Sequence, residues 1–189
     1  MLTRNEFINK YASAAQNVYK KYNVFPQTVL TLAIVESQGK GPDGNYYPGL
    51  NASAKKANNY FGIKAANWNG KTIKLSTPND ADKISVFRKY DSVEDSFNDF
   101  GKFLNENPRY RKAGVFEAPD FITQMQLIAK AGYAENPNYA SLLTKVAKSV
   151  NDQINNIKEI TKNPNNLFII FGLAGLIIYQ IYFSKNATV

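Results

Sequence analysis

The sequence contains no cysteine and no histidine. Those two absences exclude a disulfide framework, a Cys/His zinc site, and any Ser-His-Asp or Cys-His nucleophile system. Acid–base chemistry, if there is any, must come from Asp, Glu, Lys or Tyr. Long runs of like charge are missing as well. The net charge is +8, yet no basic cluster exceeds two consecutive residues. With no nucleic-acid motif in view, a nucleic-acid partner is not expected. No apolar stretch follows Met1-Leu2-Thr3-Arg4-Asn5-Glu6, so a secretory signal is not expected. Neither a cofactor nor a metal site is indicated. What the chain does have is enough apolar material for a core, 44% of 189 residues, and an unusual supply of Tyr and Phe, twelve of each. Such aromatics serve either as core or as lining for carbohydrate and partner surfaces.

The composition shifts near residue 151. Residues 1–150 hold 20 of the 23 basic and 13 of the 15 acidic residues, a net +7. Residues 151–166 are polar and Asn-rich. Residues 167–183 carry no charge and consist mostly of Leu, Ile and Phe, with Gln180 the one strongly polar side chain. Each Leu, Ile or Phe favours insertion into a bilayer by roughly 0.3–0.6 kcal/mol, and the run is apolar on every helical face. Tyr179, Tyr182 and Lys185 suit a membrane interface. The expectation is a domain over 1–150, a polar helical stalk over 151–166, a transmembrane helix over 167–183 in contact with a lipid bilayer, and a short tail over 184–189. The location expected from this is a membrane, through a single C-terminal anchor.

Residues 1–150 read as mostly helical. Thr3 and Glu6 form a capping box before Phe7, Tyr11, Ala15 and Val18 at helical spacing. Pro26 suits the first turn of a second helix, apolar on most sides, that runs to Glu36. Segments 71–76 and 84–90 predict a β-hairpin with a turn over 77–83. Ser92 predicts a cap for a helix over Val93–Glu106. Further helices are expected after Pro119 and after Asn136-Pro137, the last continuing into the polar stretch until Pro164.

Glu36 is the only charged residue between Lys21 and Lys40, and it follows Leu32-Ala-Ile-Val35. A carboxyl against apolar walls keeps its proton to higher pH and can donate it to a leaving-group oxygen, the general-acid role in glycoside hydrolysis. A solvated Glu at a helix C-terminus is the alternative reading of the same spacing.

Four segments occur in register: Leu32-Ala-Ile-Val-Glu36-Ser37, Asn58-Asn-Tyr-Phe-Gly-Ile-Lys64, Phe87-Arg-Lys-Tyr-Asp-Ser-Val-Glu-Asp-Ser96 and Gly132-Tyr-Ala-Glu-Asn-Pro-Asn-Tyr-Ala140. Together they resemble the bacterial and phage endo-β-N-acetylglucosaminidases of glycoside hydrolase family seventy-three. The resemblance covers about residues 3–150. It implies a lysozyme-like α+β fold with a helical lobe and a small β-hairpin lobe flanking a glycan groove. It also implies cleavage of the β-1,4 bond on the reducing side of N-acetylglucosamine in peptidoglycan. By the same resemblance Glu36 is the catalytic acid, Tyr133 and Tyr139 line the groove near the scissile bond, and Phe61, Gly62 and Lys64 shape the groove floor.

The sequence departs from the family at the hairpin, where a second carboxylate is usual. No Glu lies between Glu36 and Glu94, and the hairpin stretch offers only Asp80 and Asp82. Either could act as the base, or both could be solvated turn residues. Two routes need no second carboxylate: assistance by the substrate's own N-acetyl group, and a single Glu alternating between acid and base as in lytic transglycosylases. A lytic transglycosylase or muramidase acting through Glu36 alone is the alternative within enzymes, and a non-catalytic glycan-binding or structural envelope protein is the alternative outside them. The positive domain suits anionic wall polymers. A wall hydrolase with a C-terminal anchor is easiest to understand as a phage protein, in the host membrane or on a lipid-containing virion.

Overall fold

A computed structural model describes residues 1–77 and 80–162; the side chains of residues 77 and 80–83 are not among those described. Helix α1 (Arg4–Tyr22) starts at the expected capping box, with Thr3 Oγ1 accepting from the Glu6 amide and Glu6 accepting from the Thr3 amide at 2.8 Å. Its apolar stripe, Phe7, Tyr11, Ala15 and Val18, is buried. Helix α2 (Pro26–Ser37) is buried on almost every side from Thr28 to Ile34. It packs against α1, against α6 (Phe121–Lys130) and against α7 (Tyr139–Lys162). Leu30, Leu32 and Ile34 are fully buried, each worth roughly 1.5–3 kcal/mol relative to exposure. That burial makes α2 the axis of the helical lobe.

Two short antiparallel strands follow α2, β1 (Gly39–Lys40) and β2 (Tyr46–Tyr47), and then helix α3 (Ala52–Ala57). The main hairpin is β3 (Thr72–Thr77) with β4 (Asp80–Arg88), paired from Thr72↔Arg88 to Ser76↔Ile84. The register then shifts, and Thr77 pairs with Asp80. The strands thus reach further into residues 77–83 than the turn chemistry suggested, through an irregularity that takes up several residues of β4. Residues 63–65 run along the other edge of β4, with the Ala65 amide donating to Val86 at 2.8 Å and the Arg88 amide donating to Ile63 at 3.1 Å.

Helix α4 (Val93–Glu106) carries the predicted Ser92 cap, made reciprocal by Asp95, and buries Phe97, Phe100 and Leu104 against α1. Short helix α5 (Pro108–Lys112) and a 3₁₀ turn at Val115–Glu117 lead to α6, capped by Asp120. In α7 the packed side extends beyond residue 150: Val150 and Ile154 are buried and Ile157 packs on the core. The domain body therefore includes the first part of the segment read as a stalk. Among the described residues no helix is long and apolar enough to cross a membrane. The apolar run 167–183, with the membrane span expected there, lies outside the described residues, as does the tail 184–189.

Candidate active site

Glu36 sits in the last turn of α2, where the chain leaves the core. Three bonds hold this helix end. The Glu36 carbonyl accepts from Asn51 Nδ2 at 2.5 Å, the Asn51 amide donates to the Ser37 carbonyl at 3.0 Å, and Ser37 Oγ accepts from the Gly49 amide at 2.9 Å. The Asn51 side-chain oxygen also caps α3, so a single residue ties the end of one helix to the start of the next.

The Glu36 carboxyl is half-buried, and burial raises its pKa above the ordinary value of 4.5. Its place at a helix C-terminus, the negative end of the macrodipole, acts in the same direction. Tyr139 opposes this by donating its hydroxyl to Glu36 Oε1 at 2.5 Å, a bond that favours the ionised form. Burial is the larger effect. Because Oε1 accepts from Tyr139, the transferable proton belongs on Oε2. A Cβ built at Gly62 would lie 3.9 Å from Oε2, the nearest atom it would meet. Gly62 has φ +61°, a left-handed conformation that glycine adopts without penalty.

A cleft of about 300 Å³ opens beside Glu36, lined in part by Gly62, Lys64, Arg88, Arg109 and Tyr133. Tyr133 is half-buried and stacks on Tyr139, with centroids 6.1 Å apart and planes at 14°. Its hydroxyl donates to the Phe61 carbonyl at 2.9 Å. Two roomier hollows of about 500 Å³, one between α1 and α4 and one beside Trp68, contain none of Glu36, Tyr133 or Tyr139. They lack the raised-pKa carboxyl that makes the smaller cleft chemically distinctive.

Phe61 and Tyr139 stand at the site with their rings buried. Phe61 lines the cleft while only 2% exposed, its ring stacked on Phe100 at 4.1 Å. Tyr139 is 4% exposed, and what it delivers is a hydroxyl to Glu36 rather than a surface for a sugar. Lys64 is exposed at the edge of the cleft. Asp80 lies at the start of β4 with Asp82 two residues on, but both side chains lie outside the described residues. Among the described residues no grouping of acidic side chains could hold a metal ion.

Sequence reading assigned no role to Asn59, Arg88, Arg109 or Tyr110. Asn59 is fully buried; its amide donates to the Ile63 and Arg88 carbonyls and its oxygen accepts from the Ile63 amide. It locks the Phe61–Lys64 turn to the hairpin. Both Asn59 and Arg88 stand inside the quoted segments, but their partners are visible only in three dimensions.

A helical lobe presenting a carboxyl of raised pKa at the end of its buried helix, with a hairpin forming one wall of the cleft, defines a lysozyme-like glycosidase domain. Residues 12–152 match the glucosaminidase family, described as mannosyl-glycoprotein endo-beta-N-acetylglucosaminidase, and the chain belongs to that family. It is 32% identical over 150 residues to the peptidoglycan hydrolase FlgJ of Vibrio parahaemolyticus, covering 76% of this chain and 46% of that protein. It is 27% identical over 173 residues to the exo-glucosaminidase LytG of Bacillus subtilis, covering 84% and 57%. The fold is similar to the glycoside hydrolase domain of Salmonella typhimurium FlgJ, with TM-score 0.65, 26% identity, and coverage of 88% of this chain and 100% of that one. The chain spans less than half the length of the Vibrio and Escherichia coli FlgJ proteins it matches.

Proposed function

We propose that this chain cleaves the β-1,4 glycosidic bond on the reducing side of N-acetylglucosamine in peptidoglycan, with Glu36 as the proton donor. The observation that carries the reading is the half-buried Glu36 carboxyl, its pKa raised by burial, one oxygen held by Tyr139 and the other beside a glycine at an open cleft. Family membership and the FlgJ and LytG likenesses support the substrate class. Glu36 Oε2 protonates the glycosidic oxygen as the bond to C1 breaks, and Tyr139 stabilises the carboxylate that remains.

The second half of the reaction has two candidate routes. In one, the substrate's acetamido oxygen attacks C1, and the Glu36 carboxylate then takes a proton from the water that opens the resulting ring. That Glu36 is the only carboxylate among the described lining residues favours this route. In the other, Asp80 or Asp82 activates the water. Asp80→Asn, Asp82→Asn and the double variant separate them: activity within about threefold of wild type in all three leaves the first route, and a loss of about a hundredfold in one of them selects the second.

The deciding experiment is mass spectrometry of wall fragments released by wild type and by Glu36→Gln. Reducing-end N-acetylglucosamine from wild type, with lysis lowered at least about a hundredfold in the variant, is the expected result. A 1,6-anhydro product identifies a lytic transglycosylase instead. Lysis by Glu36→Gln at the wild-type rate overturns the assignment. The apolar residues 167–183 support a further element of this reading: tethering of the glycosidase to a bilayer, in a bacterial envelope or a phage particle.

A further inference from the structure

Three cations, Lys64, Arg88 and Arg109, line the cleft together with Glu36. Glu36 is the one carboxyl among the described lining residues, so the described cleft carries an excess of positive charge. Asp99 offsets only part of it, accepting from Arg88 Nη1 at 2.8 Å. Arg88 Nε is buried with no hydrogen-bond partner.

Lys64 and Arg109 make no ion pair among the described residues, and the Arg109 guanidinium is held in place. Arg109 Nη2 donates to the Tyr110 hydroxyl at 2.6 Å, and its guanidinium lies 4.7 Å from that ring's centroid. Tyr110 is itself fully buried, which fixes the platform. Lys64 is bridged through its backbone to Phe87, one residue from Arg88. Lys64 is exposed at the edge of the cleft, and Arg109 lines it as well.

In a peptidoglycan strand every second sugar carries a lactyl ether. Its carboxyl is either free or continues into a stem peptide with carboxylates of its own. A polymer of N-acetylglucosamine alone is neutral. We propose that Lys64, Arg88 and Arg109 form a carboxylate-reading subsite, which makes the enzyme select glycan strands bearing a carboxylate beside the cleaved bond over neutral ones. Guanidinium groups match a carboxylate with paired N–H donors, and the Lys64 ammonium adds a point charge. The inference rests on the peptidoglycan reading above.

The test uses the full chain on one wall preparation in two forms, native and with its carboxylates converted to amides. The wild type should cleave native strands with a kcat/KM at least about tenfold higher than amidated strands. Lys64→Gln and Arg109→Gln should each reduce that preference, and the double variant should abolish it, through a larger fall on native than on amidated strands. Strands stripped of peptides place the carboxylate: a retained preference assigns it to the lactyl group, and a lost one to the stem. Equal cleavage of native and amidated strands by wild type overturns the proposal. So does an equal fall of the variants on both substrates, which marks a merely structural role. Wild type inactive on both forms refutes the peptidoglycan reading itself, a distinguishable failure.

Discussion

Glu36 and Tyr139 control one proton between them. The Tyr139 hydroxyl favours the ionised carboxyl, so Tyr139→Phe should raise the Glu36 pKa further. The alkaline limb of the pH–rate profile should then move to higher pH. The rate should fall about tenfold, because the carboxylate formed by proton transfer loses its donor. A profile that keeps its alkaline limb in place counts against this coupling. Glu36 also links stability to pH. Its folded pKa lies above the ordinary 4.5, so the folded protein binds this proton more tightly than the unfolded chain does. Its contribution is full below about pH 4.5 and is lost as pH rises through the folded pKa. Glu36→Gln has no proton to lose. Denaturant titrations should show the variant gaining stability relative to wild type across that window, then levelling off.

Arg88, Tyr90 and Asp99 join the hairpin to α4. Asp99 accepts from Arg88 and, at 2.7 Å, from the Tyr90 hydroxyl, and the two ion-pair side chains are only 15% and 7% exposed. Arg88 is further packed by Trp68 and Phe103, whose ring centroids lie 4.6 and 5.7 Å from its guanidinium. Asp99→Ala should cost about 3 kcal/mol in chemical denaturation, because it leaves a largely buried cation without its counter-charge. Tyr90→Phe should cost about 1 kcal/mol. Elements with strong local signals were readable from sequence: the capping boxes at Thr3 and Ser92, the Pro26 start of α2, and the paired strand segments. The strands β1 and β2 were not, because two residues each hold no period, and their pairing depends on the turn at Gly41–Asn45. Glu36 stood out because it breaks an apolar run. Arg109 gave no such signal: its place at the cleft comes from α5 laying Tyr110 into the core, a consequence of tertiary packing alone.

At the scale of the whole molecule the two ends of the described chain close on each other. Arg4 donates to Ser149 at 3.1 Å and Gln153 to Asn9 at 2.8 Å, as α1 and α7 pack together. A chain ending at Lys162 keeps every described core contact and should unfold cooperatively. One ending at Val150 loses the buried Ile154 and its neighbour Ile157, and should be less stable by about 2–5 kcal/mol. Thermal melts of the two forms check this. The full chain should resist alkaline carbonate extraction from membranes, whereas the form ending at Lys162 should not; release of both by carbonate refutes the tether. The bond between Tyr139 and Glu36 joins residues 103 apart in sequence. Its loop cannot close on a ribosome until nearly the entire domain has been synthesised, so a truncated or still-growing chain already contains the acidic residue but lacks the donor that completes it. Completion of the Glu36–Tyr139 pair thus waits for α7, the last of the described helices.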